Sequence, residues 1–514
     1  MSPAKGRSEK TTIRGRVLAG SMWLILLRSV SRVLGFASTI ILARLLMPED
    51  FGLMAMAAVS MAFLEAFTTL NLGTILIRNV LSSRADYDTA WTLQIIRGTV
   101  IALVILLASP AIAGFFEEPR LIQILPLVAL ASFVNGFHNI GMVDLEKEFR
   151  FQGIVIKESL TRVSAVILQI ILAVLWRNYW ALIAGIVCQS VVAVALSYYV
   201  SPYRPKLSLA RCGEIFGFAK WLTASSIAVF LREQCDALII GRMLTPDILG
   251  TYVVGRNLVH MPANELIAPV SRAMFPAYAK ISGDSEALQR AFLMMLGSVF
   301  ALAAPACAGI GLISEPLILG LFGERWLPAA DVMPILAIGA IISSTGGIFG
   351  QILIVIGRPE LSVYAQIVAL AMYIPALVVG IGMAEAMGAA VARSATTMIT
   401  FSIIFVMVAR VMSLRFRDVL AMVWRSAVAL AVMVLAILWV RGAGGLFGVE
   451  AAPIGLLVQL VLIGGLSYGG VLMALWLAQG RPRGAEEHLF DMMNRIAGHR
   501  RFAFIKRRMW SHRP

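Results

Sequence analysis

Long apolar stretches recur along the whole chain, each ended by a short cluster of charged or turn-forming residues. Fourteen of them reach the roughly 20 residues that an α-helix needs to cross a bilayer. They lie near 18–46, 52–74, 89–113, 121–142, 159–176, 179–201, 215–240, 248–274, 288–313, 332–356, 361–382, 386–410, 419–440 and 453–478. None alternates, and all are far longer than the roughly 10-residue strands of a membrane barrel. Pro262, Pro269, Pro305 and Pro375 fall inside runs, where neighbouring helices can satisfy the freed backbone groups. The pattern predicts an all-α polytopic membrane protein with about 14 transmembrane helices. The first run lacks a short apolar core followed by a small-residue cleavage site, so it reads as a span and not as a cleavable leader.

Composition sharpens this. Of 514 residues 59% are hydrophobic and only 14% charged, against about 25% in a soluble domain, and mean hydropathy is +0.84. A water-soluble enzyme, a disordered chain and a fibrous protein are all excluded. The scarce charges are lopsided, with a formal net charge of +15. If the N-terminus is cytoplasmic, 27 of the 44 basic residues fall in the inner segments and tail, six fall outside, and eleven lie within spans. That asymmetry is what the positive-inside rule expects, and it places both termini in the cytoplasm with an even number of spans. The outer loops are too short for an extramembrane catalytic domain. Cys188, Cys212, Cys235 and Cys307 are scattered without CxxC or histidine partners, so they read as packing residues and no metal site is expected. No GxxxxGK[ST] loop is present, so neither ATP hydrolysis nor a bound cofactor is expected of this chain.

An internal repeat organises the spans. Ala43–Gly52 reads ARLLMPEDFG and Gly241–Gly250 reads GRMLTPDILG. At an offset of 198 residues Arg44 falls on Arg242, Leu46 on Leu244, Pro48 on Pro246 and Gly52 on Gly250, and upstream Trp23 falls on Trp221. An ordinary helix–turn–helix junction explains either copy alone. Two copies six spans apart, with the same orientation, imply two six-helix lobes in parallel repeat, an arrangement that transporters use to build a substrate site between lobes. The expected organisation is a basic cytoplasmic N-terminus (1–17), an N-lobe of spans 1–6 (18–201), a cytoplasmic linker (202–214) and a C-lobe of spans 7–12 (215–410). Two further spans (411–478) would be an appendix, followed by a basic cytoplasmic tail (479–514).

Five blocks in order resemble a known family. They are Leu34–Ala57 (LGFASTIILARLLMPEDFGLMAMA), Asp144–Phe151 (DLEKEFRF), Asp236–Arg256 (DALIIGRMLTPDILGTYVVGR), Phe275–Tyr278 (FPAY) and Leu321–Pro328 (LFGERWLP). Together they resemble Wzx-type oligosaccharide flippases, the polysaccharide transporter branch of the multidrug/oligosaccharidyl-lipid/polysaccharide superfamily, over most of residues 15–430. The resemblance implies a fourteen-helix, two-lobed fold that moves a polyprenyl-pyrophosphate-linked oligosaccharide across the bacterial inner membrane. The last two spans and the tail match less well.

Charges inside the spans supply the candidate site. Arg162, Lys220, Arg290 and Arg425 lie near cytoplasmic span ends, where their side chains can snorkel to water. Arg28, Arg32, Arg97, Arg232 and Arg256 are deeper. Facing lipid, these five would cost about 12–18 kcal/mol on the insertion scale, so they must line a wet cavity or find partners. Arg28 and Arg32 are i,i+4 on the first span, and Arg256 and His260 are i,i+4 on the eighth, with Asn257 and Asn264 adding polar capacity. Guanidinium binds phosphate oxygens bidentately and stays charged, which suits a pyrophosphate. The competing role is interhelical ion pairing, Arg28 with Glu65, or Arg232 with Glu233 and Asp236. Glu65 is the candidate acid for ion coupling.

The expected function is therefore lipid-linked oligosaccharide flipping for exopolysaccharide, O-antigen or capsule synthesis by alternating access, with no catalytic residue. A multidrug or cation antiporter of the same superfamily is the alternative, but its cavity would favour acidic and aromatic lining, whereas arginine predominates here. An integral-membrane polymerase or glycosyltransferase would need an acidic site on a large outer loop. The tail segment His499–Arg513 (HRRFAFIKRRMWSHR) interleaves bases with aromatics. Tethered beside the inner leaflet it fits anionic lipid and not nucleic acid. Other polysaccharide assembly proteins are candidate partners. Trp326 in LGLFGERWLP suits an anchor at the outer interface.

Overall fold

The computed structural model describes residues 34–69, 83–147, 151–263, 283–442 and 453–480, together with Leu72, Leu76, Met274, Tyr278 and Ile281. Among the described residues the chain is helical almost throughout and contains no strand. Two compact units divide it, Met1–Val253 and Val254–Pro514.

The first unit holds α1 (Leu34–Leu45), α2 (Pro48–Thr68), α3 (Arg84–Phe116), α4 (Leu121–Gly136), the short α5 (Met142–Lys147), α6 (Phe151–Trp176), α7 (Trp180–Val200) and α8 (Cys212–Met243), and it ends inside α9 (Pro246–Pro262). Local signals set the starts. Pro48 occupies the first position of α2, where its missing N–H costs nothing, and Asp50 Oδ2 reaches back to accept from Met47 N–H at 2.8 Å. Asp86 does the same for Ser83 N–H at the start of α3, at 2.6 Å. Inside the unit α2 packs along α8, α3 along α4, and α6 along α7. The division between units falls within α9, and α8 packs against α2 and α3 in the first unit.

The second unit holds the rest of α9, then α10 (Ser285–Leu312), α11 (Ser314–Leu321), a 3-10 turn (Glu324–Trp326) and α12 (Leu327–Val355). Pro359–Val411 is two helices, α13 (359–383) and α14 (386–411), folded back at Ala384 and Glu385, where the backbone leaves helical geometry. Gly380 and Gly388 make the hairpin possible, since a Cβ on either would overlap the other's carbonyl. α15 (Phe416–Gly442) and α16 (Pro453–Ala478) close the chain. Phe292, Phe349, Phe401 and Phe405 interlock edge-on at the centre of this unit.

Nine described helices are long and apolar enough to cross a membrane, one of them being the α13–α14 hairpin, and α1 and α4 are shorter apolar helices. The chain is a multi-pass membrane protein; the number fourteen itself rests on the sequence.

Three expectations change. The final pair of spans is no appendix: Tyr468 of α16 donates to the Ala301 carbonyl of α10 at 2.8 Å, and Arg441 of α15 holds Glu315 and the Leu312 carbonyl. Trp326 is fully buried against Phe322 and does not anchor an interface, because the 3-10 turn tucks its indole between α11 and α12. Arg425 is buried, with Nη1 3.4 Å from Gln479 Oε1, and does not snorkel.

Candidate functional site

The two copies of the sequence repeat meet at one end of the first unit. A Cβ on Gly52 would overlap the Pro246 carbonyl, and a Cβ on Gly250 would overlap the Pro48 carbonyl. Each glycine therefore seats on the other copy's proline, and only glycine allows that backbone approach. Ion pairs ring the contact. Arg120 bridges Glu49 of α2 and Glu118, at 2.5 and 2.7 Å, and Arg242 of α8 reaches Glu117 at 2.7 Å. The Arg120 guanidinium holds the Glu118 carboxyl below its ordinary range, outweighing burial.

Further in, α2, α3 and α8 converge on polar side chains. Arg97 of α3 donates from Nε to Thr68 Oγ1 at 3.3 Å and lies within electrostatic reach of Glu65. Thr69 donates to the Glu65 carbonyl at 2.5 Å, and Thr223 of α8 donates to the Thr69 carbonyl at 2.6 Å. Thr223 and Arg97 sit 11 and 13 residues into helices that start at the same end, so both lie about 16–20 Å along the helix axis. Arg97 is half-buried and Glu65 exposed on the same polar level. Glu65 and Arg97 thus bring opposite charges to one polar level where α2, α3 and α8 meet.

The other candidates separate. Arg232 is exposed on α8 and pairs with Glu233 at 2.9 Å, the ion-pairing role the sequence left open. Asp236 is fully buried, accepting from Tyr252 Oη at 3.1 Å and Ala237 N–H at 2.8 Å. In the second unit Arg256 is buried on α9, where Gly255 lets the helix close on the Ala329 carbonyl of α12. His260 is half-buried and Asn257 exposed, so α9 carries its polar groups around more than one face. Arg28, Arg32 and Asn264 lie outside the described residues.

Sequence reasoning missed one pair. Lys157, counted with the inner basic residues, is buried on α6, and its Nζ lies 2.9 Å from His138 Nε2 and 2.8 Å from Glu158 Oε1. An ammonium can only donate, so Nε2 accepts and the His138 ring is neutral. The loop after α4 leaves carbonyls behind, and Gln94 Nε2 reaches those of Asn135, Gly136 and His138 at 3.1–3.3 Å. The signal in the sequence was the helix break at Phe137–Gly141 beside a polar Gln94.

Among the described residues no cluster of three metal-ligating side chains occurs, and no cysteine is in a disulfide.

Comparisons place this geometry. The family described as "Polysaccharide biosynthesis protein" matches residues 41–331. The lipopolysaccharide biosynthesis protein WzxC of Escherichia coli (strain K12) is 26% identical over 80% of this chain and 85% of its own. The succinoglycan biosynthesis transport protein ExoT of Rhizobium meliloti (strain 1021) is 24% identical over 62% of this chain and 64% of its own. Among solved structures, the lipid II flippase MurJ in an inward closed conformation superposes with a TM-score of 0.72 at 13% identity, covering 89% of this chain and 99% of that one. An inward-facing multidrug resistance MATE family transporter superposes with a TM-score of 0.60 at 14% identity, over 74% and 94%. The fold is thus that of this transporter class, all-helical and multi-pass.

Proposed function

The chain belongs to the polysaccharide biosynthesis protein family, and we propose on that footing that it is a flippase moving a polyprenyl-pyrophosphate-linked oligosaccharide across the bacterial inner membrane, with both termini cytoplasmic. The work is transport, not chemical conversion of the substrate. What supports this reading is arginine within the helices, Arg97 on α3 and Arg256 on α9, together with Arg28 and Arg32 in the first apolar run of the sequence. Their fixed positive charge and forked donors suit a pyrophosphate and oppose an organic cation. In this reading the two repeats, 18–201 and 215–410, act as lobes, and the apolar polyprenyl chain stays in lipid while the sugars follow a polar path. The Gly52–Gly250 contact closes that path to the outside, and its separation opens it. Glu65, beside Arg97, carries the coupling ion, so its charge alternates with that of the bound pyrophosphate.

Replacing Arg97 and Arg256 together with Gln, then Arg28 and Arg32 as well, tests the site in cells whose surface glycan depends on this protein. The expected result is a fall in surface polysaccharide of at least tenfold with normal membrane insertion, and accumulation of complete lipid-linked repeat units on the cytoplasmic side. Undiminished export by the inserted quadruple variant would sink the pyrophosphate site.

The likeness to a multidrug transporter favours one second reading, export of organic cations on the same fold. In that case Glu65→Gln would abolish cation efflux while the arginine variants left it intact.

A further inference from the structure

The linker between α7 and α8 is not a loose tether. We propose that residues 201–211 form a strap that docks on anionic phospholipid headgroups of the inner leaflet, a role resting on the orientation adopted above. Position is the first argument. α7 has 21 residues, about 31 Å of helix, which just covers the roughly 30 Å hydrocarbon layer. Ser201 therefore emerges at the boundary between hydrocarbon and headgroups. α3, with 33 residues, reaches about 50 Å and projects beyond that boundary.

Hydrogen bonds then press the strap against the projecting end of α3. Asp88 Oδ1 accepts from Tyr203 Oη at 2.7 Å and from Lys206 N–H at 2.8 Å. Thr92 Oγ1 accepts from Ser208 N–H at 2.9 Å, and Asn139 Nδ2 donates to the Tyr203 carbonyl at 2.8 Å. Burial and the Asp88 carboxylate hold the Tyr203 phenol above its ordinary pKa, so it remains a donor. With one edge of the strap spent on α3, Lys206, Leu207, Leu209 and Arg211 are exposed, and so is Arg204, whose guanidinium also donates to the Ser201 and Tyr203 carbonyls at 2.8 and 3.0 Å. Leu207 is 73% and Leu209 54% exposed.

Charge is the second argument. Three acids at this end are engaged internally: Asp86 caps Ser83, Asp88 receives the strap, and Asp144 accepts from Tyr87, while Glu146 on α5 is exposed. The outward edge carries two bases, then two leucines, then a third base. In water two leucines held out by fixed backbone would be a liability. At a bilayer surface they enter the acyl boundary while the bases meet phosphates, the usual chemistry of an interfacial segment on anionic lipid.

The test uses the full chain in nanodiscs. A Leu207→Trp reporter is read as the fluorescence it adds over the unmodified chain, with brominated phosphatidylglycerol or brominated phosphatidylcholine as quencher. Quenching at least threefold greater by the brominated phosphatidylglycerol is expected, and Arg204→Gln, Lys206→Gln and Arg211→Gln together should equalise the two lipids. Equal quenching in the Leu207→Trp chain would overturn the charge selectivity. No quenching by either lipid would overturn docking on a bilayer and leave a protein partner as the occupant. Because the Leu207→Trp chain keeps every hydrogen bond of the strap, the result does not depend on the triple variant folding. Orientation is read separately: a Leu209→Cys chain lacking its native cysteines should resist a membrane-impermeant maleimide added to spheroplasts. Labelling from outside would reverse the direction assigned to transport and leave lipid docking standing.

Discussion

The first unit is held at its two ends by opposite means. At the end that the proposed orientation makes the outer one, Gly52 and Gly250 put backbone directly on backbone, with ion pairs from Arg120 and Arg242 around the contact. At the inner end Tyr203 and the strap backbone reach Asp88 and Thr92 through hydrogen bonds, beside the buried Lys157–His138 pair. The outer contact is steric and tolerates no added atom. The inner one is polar, and each of its bonds can be exchanged for a bond to water. A steric contact is either made or broken, which suits a closure that must seal, whereas a polar strap can yield locally without separating helices.

The strongest way to break this comparison is Gly52→Leu. A side chain there meets the Pro246 carbonyl, which is backbone and cannot rotate away. Overpacking of this kind costs about 1–3 kcal/mol or more, and separation of the two repeats relieves it. Export should fall at least tenfold while insertion persists, measured as surface polysaccharide against protein in the membrane. Gly250→Leu should behave alike, because the contact is reciprocal.

Asp88→Ala tests the inner end and should act on stability before transport. It removes an acceptor used by two donors, and hydrogen bonds to a charged group contribute about 1.5–3 kcal/mol each. A fall of several degrees in the unfolding midpoint of the detergent-solubilised chain is expected, with export reduced less than in Gly52→Leu. If Asp88→Ala loses export as completely as Gly52→Leu at equal abundance, the two ends are not distinct in kind.

Acidification separates the ends a third way. The folded-state pKa of Glu118 is depressed by Arg120. Its contribution is thus present above the ordinary carboxylate pKa and is lost as pH falls through the lower, folded value. Stability should drop below about pH 4.5, and Glu118→Gln should flatten that part of the profile. A Glu118→Gln chain with the original acid sensitivity would remove this carboxylate from the outer lock.

The smallest effect lies in the second unit. Glu385 turns the α13–α14 hairpin at φ 47° and ψ −129°, a region costly to a residue with a Cβ. Glu385→Gly should raise the unfolding midpoint by about 1–3 °C, the balance of relieved strain of about 1 kcal/mol and a more flexible unfolded chain.

Much of this was legible in the residues. Apolar run lengths foretold the helices, and Pro48 marked the junction before α2. The ARLLMPEDFG and GRMLTPDILG copies foretold a related pair of structures. That their glycines would seat on each other's prolines was not legible, since a repeat states likeness and not contact. Run length did separate 361–382 from 386–410, where the chain folds back at Ala384–Glu385, but the close seating of Gly380 on Gly388 was not legible. Arg232 and Lys157 ended in opposite surroundings. Both are bases in or beside spans, yet one is exposed on its Glu233 partner and the other is buried on His138.

The sequence alone determined that the chain crosses a membrane many times, and it carries the charge asymmetry and the repeated segment from which an orientation and two lobes are proposed. These properties follow from one-dimensional facts, the length of apolar runs and the side of each on which charge falls. Tertiary structure decided which charges are spent on packing and which stand in the polar level with Glu65 and Arg97. It also decided that the linker is a strap and that the last two helices belong to the second unit's core. Those outcomes turn on distances between residues far apart in the chain, where a single ångström separates a contact from an overlap.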